Sequence, residues 1–187
     1  MQRDRKTYAT EGIILARRNI GEADRLLTIY TKHYGKVKVV AKGVRRTTSR
    51  KRGSLELFTQ VKLFAVKGKT FDIITEVETK ENFNNWRRDL LRVGVAYHLT
   101  EVINRLTREN QEHRKVYDLL FTAFNRLNDF PDEKLSTYAA AFKKAVLTEL
   151  GFLNEDRGRT DYDAYIEELI QGHLRTKRFL RSLSSIP

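Results

Sequence analysis

Over the first 80 positions polar and apolar residues tend to alternate with a period of two, and beyond them the period becomes helical. Residues 8–16, rich in apolar and β-branched side chains (Ile13, Ile14, Leu15), predict a first strand that Arg17-Arg18-Asn19 ends. Residues 25–31 predict a second strand, closed by His33-Tyr34-Gly35. Lys36-Val37-Lys38-Val39-Val40-Ala41 alternates as a half-buried third strand should. A polar, basic stretch fills residues 42–54, after which residues 57–66 alternate again. Lys67-Gly68-Lys69 then makes a tight turn into a fifth strand over residues 71–78. No proline interrupts these strands. Five short strands with hairpin-sized connections predict a small barrel, because closure removes the exposed edges.

Past Asn84 the apolar residues recur every three or four positions: Leu91, Val95, Leu99, Val102 and Leu106 mark one helix. Val116, Leu119, Leu120, Ala123, Phe124 and Leu127 mark a second. Pro131-Asp132-Glu133 suits the start of a third, because proline fits the first turn and acids favour the dipole there. That helix carries Leu135, Tyr138, Ala139, Phe142, Val146 and Leu150, with Gly151 placed to end it. Thr160-Asp161-Tyr162-Asp163 predicts a capping box opening a fourth helix, and residues 174–183 a final one. The expected organisation is α+β, with a barrel domain over residues 1–80 and a helical domain over 81–187.

Charge changes this picture more than composition does. Residues 1–80 hold nineteen Lys or Arg against eight Asp or Glu, a net of +11; residues 81–187 hold seventeen against sixteen, a net of +1. A large field of one sign attracts polyanions, of which nucleic acid is the commonest in a cytosol. The absence of cysteine excludes disulfides, thiolate zinc sites and cysteine catalysis. No apolar run reaches the length of about 18 residues that a membrane-spanning helix needs, and no apolar leader core follows the basic N-terminus, so a soluble, cytoplasmic chain without a membrane partner is expected.

The sharpest local feature is Lys42-Gly43-Val44-Arg45-Arg46-Thr47-Thr48-Ser49-Arg50-Lys51-Arg52-Gly53, in which six of twelve residues are basic and none is acidic. Unpaired charge at this density cannot be buried and must be solvated or neutralised by a partner. A charge run is often no more than a solvated loop. On a basic barrel, arginine forks with neighbouring Thr and Ser hydroxyls suit phosphate oxygens better. Aromatic residues accompany the charge; Phe64 and Phe71 read as core, whereas Tyr34, in a turn beside Gly35, is a candidate for base stacking. Lys143 and Lys144 on the third predicted helix suit an acidic peptide, although an exposed helix face explains them equally well.

Catalytic signatures are missing. There is no Gly-rich phosphate loop, and the four histidines are dispersed with no helical pair, so neither nucleotide hydrolysis nor a metal site nor any cofactor is expected. Glu22 and Asp24 read as turn chemistry beside Arg25. Asp161, Asp163, Glu167 and Glu168 read as helix-start and surface acids. No nucleophile has an evident base, and the chain does not read as an enzyme.

The motifs themselves resemble a family. Glu11-Gly12-Ile13-Ile14-Leu15, then Gly21-Glu22-Ala23-Asp24-Arg25-Leu26-Leu27-Thr28, resembles the start of bacterial RecO recombination mediators. So do Thr31 leading to Gly35-Lys36, Val40-Ala41-Lys42-Gly43-Val44-Arg45-Arg46, Ser49-Arg50 with Gly53-Ser54-Leu55-Glu56-Leu57-Phe58, and Ile74-Thr75-Glu76. Beyond residue 85 the likeness is looser and rests on helix lengths and Leu147-Thr148-Glu149-Leu150-Gly151-Phe152. The resemblance implies an OB-fold barrel followed by helices, binding of single- and double-stranded DNA, annealing of complementary strands, and help in loading RecA onto DNA coated with single-strand-binding protein. It implies RecR and the acidic C-terminal tail of single-strand-binding protein as partners, the RecA filament indirectly, and a nucleoid-associated place in the cytoplasm. Its matching basic positions are Arg25, Lys42, Arg45, Arg46 and Arg50; Lys51 and Arg52 extend the loop on charge alone. Many members carry a four-cysteine zinc module after the equivalent of Gly151-Phe152, whereas Leu153-Asn154-Glu155-Asp156-Arg157-Gly158 offers no cysteine. The reading that competes is an RNA- or ribosome-binding barrel, or an adaptor for acidic protein tails.

Overall fold

The computed structural model describes residues 6–49, 51, 53–153 and 161–177. The chain divides into two compact units, one made of Met1–Asn82 with Glu109–Tyr117 and the other of Phe83–Arg108 with Asp118–Pro187.

The first unit is built on β1 (Thr7–Ile20), β2 (Asp24–Thr31), β3 (Gly35–Ala41), β4 (Gln60–Val66) and β5 (Asp72–Glu81). They close in the order β1-β2-β3-β5-β4. All pairs are antiparallel except β3–β5, which runs parallel through Val39–Asp72 and Val40–Ile73. This closed five-stranded barrel is the OB-fold. Alternation explains its core: Leu27 and Ile29, Val37 and Val39, and Val61, Leu63 and Ala65 point inward at every second position, joined by Ile14 and Ile74.

The structure departs from the pattern in three places. β1 runs on through Arg17-Arg18-Asn19 to Ile20, because a bulge between Ile14 and Ala16 resets its register and keeps it paired with β2. β4 starts at Gln60 rather than Leu57, since Phe58 adopts a left-handed conformation (φ 66°). Phe64 is not core: between inward Leu63 and Ala65 the pleat turns it outward, where it is 42% exposed with the Lys62 ammonium 5.8 Å from its ring.

Residues 109–117 fall within the expected helical domain, with Val116 on its second helix, yet they belong to the barrel unit. Glu109 bridges to Lys36 in parallel, the Asn110 amide donates to the Lys36 carbonyl at 2.9 Å, and Gln60 Nε2 donates to the Tyr117 hydroxyl at 2.9 Å. Gly35 is required there: its φ is +63°, and a Cβ would sit 1.8 Å from the Gln111 carbonyl oxygen.

The helical unit draws on α1 (Leu90–Leu106), α2 (Arg114–Arg126), α3 (Leu135–Glu149) and α4 (Tyr162–Leu169). Asp89 caps α1, its carboxylate accepting from the Arg92 amide at 3.0 Å. Gly151 (φ +77°) ends α3 as expected, and the Phe152 amide turns back to the Leu147 carbonyl at 2.8 Å. The fourth helix forms on an Asp161 cap accepting from the Ala164 amide at 3.0 Å; Thr160, the other half of the predicted box, lies outside the described residues, as do residues 178–183 of the predicted final helix. One core gathers Val102, Leu147, Leu153, Ile166 and Leu174. In another, Phe124 meets both Phe83 and Trp86 edge to face, with Trp86 Nε1 donating to the Phe124 carbonyl at 2.8 Å.

Lys143 departs from both sequence readings. Its side chain is only 8% exposed and its ammonium lies 2.5 Å from Asp163 Oδ1, so it is neither an exposed helix cation nor available to a peptide. Asp163 is correspondingly not a surface acid. His98, fully buried, brings Nε2 to 3.2 Å from the same carboxylate and Nδ1 to 2.8 Å from the Thr176 hydroxyl. Burial alone would raise the Asp163 carboxyl, but hydrogen bonds from His98 and Lys143 and their charges more than reverse it, leaving it well below the ordinary carboxylate range.

Candidate nucleic-acid interface

The basic stretch leaves β3 at Lys42 and is fastened at once to the turn between β1 and β2. Gly43 (φ +66°) donates its amide to Asp24 Oδ1 at 2.7 Å, and the Arg45 amide donates to the Ala23 carbonyl at 2.9 Å. Arg45 Nη1 also reaches the Gly21 carbonyl at 3.3 Å. Two tight turns follow, Arg46 amide to Gly43 carbonyl at 3.1 Å and Ser49 amide to Arg46 carbonyl at 3.0 Å. Val44 and Leu55, near either end of the excursion, are fully buried in the barrel core. Hydrophobic anchors thus pin the loop while Lys42, Arg45, Arg46, Thr47 and Thr48 remain exposed. A freely solvated charge run has no such anchors.

The other predicted residues are distributed less evenly. Lys51 is half-buried and donates to the carbonyls of Ile74, at 3.4 Å, and Thr75. Arg50 and Arg52 lie outside the described residues. The Arg25 side chain is only 13% exposed; its Nη1 reaches the Leu55 carbonyl at 3.4 Å and Glu56 Oε1 at 3.5 Å, where it braces the returning leg of the loop. Glu56 also takes Arg17 through Oε2. Asp24 and Arg25 therefore hold the two legs of one loop, which gives the turn residues a structural purpose.

Tyr34 is exposed in the β2–β3 turn, its amide donating to Thr31 Oγ1 at 3.0 Å. Its ring centroid lies 4.7 Å from that of Tyr8, whose hydroxyl donates to Asp72 Oδ2 at 2.7 Å. Burial, then the Asp72 hydrogen bond and charge, push the Tyr8 phenol up. The structure does not bring Tyr34 to the basic loop. They leave opposite ends of β3, whose seven residues span about 23 Å at about 3.3 Å each.

The residues that sequence reading missed are Arg17 and Arg18. Both were assigned to the end of a strand, whereas the continued ladder places Arg17 opposite Leu27 and Arg18 opposite Leu26, and Arg17 pairs with Glu56 just past the basic loop. A pair of adjacent arginines next to a Gly-containing turn was the available signal. On β5, by contrast, Glu76 and Glu78 are exposed, so the cationic surface is concentrated rather than uniform.

Comparison with known proteins agrees with this architecture. Residues 1–83 match the family described as recombination protein O, N-terminal, and residues 87–154 match recombination protein O, C-terminal. A protein named DNA repair protein RecO from Roseiflexus sp. (strain RS-1) is 40% identical over 126 residues, covering 67% of this chain and 44% of the relative. The protein of the same name from Pelotomaculum thermopropionicum is 33% identical over 147 residues, covering 79% of this chain and 56% of the relative. That from Gloeothece citriformis is 38% identical over 122 residues, or 65% and 43%. The chain thus spans about half the length of these relatives. With both family regions matched in order across the barrel and the helices, the chain belongs to the RecO family.

Proposed function

We propose that this chain binds single- and double-stranded DNA through the barrel end that carries the basic loop, and that it acts in DNA repair and recombination. The observation that carries this reading is the anchored loop itself: Val44 and Leu55 bury in the core while Lys42, Arg45 and Arg46 face solvent. Anchoring the backbone that carries the guanidinium groups lowers the entropy lost when phosphates bind them. Arg50, Lys51 and Arg52 extend the same cation-rich stretch in sequence, and Tyr34 with Tyr8 offers a stacking surface at the other end of β3.

The mechanism needs no covalent chemistry, and we assign no enzymatic role. Phosphates neutralised by arginine release counterions, which drives binding and makes it salt-dependent. Two strands whose charges are screened on one surface approach and pair, which is annealing. Assistance in loading RecA onto DNA coated with single-strand-binding protein, docking of RecR and of that protein's acidic tail, and action in the cytoplasm at the nucleoid complete the proposal. Its support is membership of the family together with the basic barrel. Among the described residues no helix is long and apolar enough to cross a membrane.

The test is fluorescence anisotropy with single-stranded DNA, duplex DNA and a structured RNA at matched salt. Binding to both DNA forms, with a log affinity that falls linearly with log salt, supports the reading. A strong preference for the RNA moves the function to ribosomal or other structured RNA.

A further inference from the structure

We infer that Arg17 is a second phosphate site on the barrel, outside the basic loop, and that Glu56 occupies it in the free protein. This rests on the reading of the barrel as a DNA-binding surface. The bulge in β1 is what creates the site. Before it, Ile14 pairs with Ile29 and both face the core; after it, Arg17 pairs with Leu27 and Asn19 with Arg25. Directly opposed residues in an antiparallel ladder point to the same face. Because Leu27 points inward, Arg17, Asn19 and Arg25 continue that inward face at the mouth of the barrel, beyond the apolar core.

Glu56 descends from the returning leg of the loop between the two arginines, one oxygen to Arg17 and the other to Arg25. The two guanidinium groups are not equivalent. Arg25 is nearly enclosed and also reaches a backbone carbonyl, whereas Arg17 is 35% exposed. A phosphate presents the same oxygen fork to arginine that a carboxylate does. An exposed ion pair contributes little to stability, so a polyanion already held by Arg45 and Arg46 displaces Glu56 from Arg17 at little cost. Arg25 keeps its hold on Glu56, and the loop stays in place. Glu56 thereby sets the affinity: it keeps Arg17 oriented in the free barrel and opposes binding until a strand arrives.

Four proteins test this by anisotropy with a single-stranded oligonucleotide across a salt series: E56Q, R17A, the double variant, and E76Q, which removes the same charge from exposed Glu76 on β5. The amide in E56Q still accepts from Arg25, and circular dichroism checks the fold. E56Q is expected to bind about three- to tenfold tighter than E76Q at low salt, with the same salt slope, because Arg17 contacts one phosphate in both and only the competitor is gone. In the R17A background that gain disappears. R17A alone, which leaves the Arg25–Glu56 pair intact, weakens binding and lowers the slope by about 0.7. Equal affinity for E56Q and E76Q overturns the inference, as does a gain that survives R17A. If E56Q fails to fold, an unchanged slope in R17A overturns it alone. Failure of the unaltered protein to bind DNA is a different result, and removes the underlying reading of the barrel as well.

Discussion

Asp24 is an acid whose loss should weaken binding to a polyanion. Its carboxylate accepts from the Gly43 amide at 2.7 Å and so sets the departure angle of the basic loop. Charge alone predicts that D24A tightens DNA binding, because a repulsive group disappears. The geometry predicts the reverse: the loop loses a charge-assisted hydrogen bond that contributes about 1.5–3 kcal/mol, and Arg45 and Arg46 are no longer held in place. Weaker binding by D24A, with thermal stability reduced, is the expected outcome of anisotropy and melting measurements. Arg45 and Arg46 themselves are exposed and contact phosphate in this account. Changing both to Ala should lower the single-strand salt slope by about 1.4, two contacts at about 0.7 each, with little loss of stability. The basic run was plain in the sequence. Its fastening was not, since Val44 and Leu55 look like incidental apolar residues until the barrel closes over them.

At the scale of elements, strands β2 and β3 were legible from their apolar and β-branched content, although both of their faces are largely covered and Lys38 alone among their residues is exposed. β1 was less so: a bulge changes which residues face inward without changing composition, and Arg17 consequently looked like a terminator. Phe64 misled for a related reason, since an aromatic residue in an alternating strand reads as core unless the register is known. The helices were legible from spacing, but the partners of their charged residues were not, being far apart in the chain. Asp163 meets Lys143 and His98 across α4, α3 and α1. Its carboxyl is lower in the folded state than in the unfolded chain. The stability it contributes is therefore complete above the ordinary aspartate value of about 3.9 and is lost as pH falls below it. D163N should cost about 3 kcal/mol at neutral pH, by leaving the buried Lys143 ammonium without its counter-charge. In urea unfolding the gap between wild type and D163N should narrow as pH drops below about 4; a gap independent of pH would contradict the assignment. Gly35→Ala is the backbone counterpart. A Cβ at φ +63° meeting the Gln111 carbonyl should detach residues 109–117 from β3, read as a marked fall in melting temperature.

For the molecule as a whole, charge segregation is the organising fact. Residues 1–80 carry a net of +11 and residues 81–187 a net of +1, while the only described elements with consistent β-alternation lie in the positive part. A chain that required charge only for solubility would have no cause to divide it so. Annealing of two complementary oligonucleotides across a salt series, with and without the protein, shows whether the basic barrel brings strands together. Acceleration at low salt that fades steeply as salt rises, and that is diminished in the variant lacking Arg45 and Arg46, is the expected result. Tight binding to one strand with no acceleration of annealing at any salt concentration would contradict it.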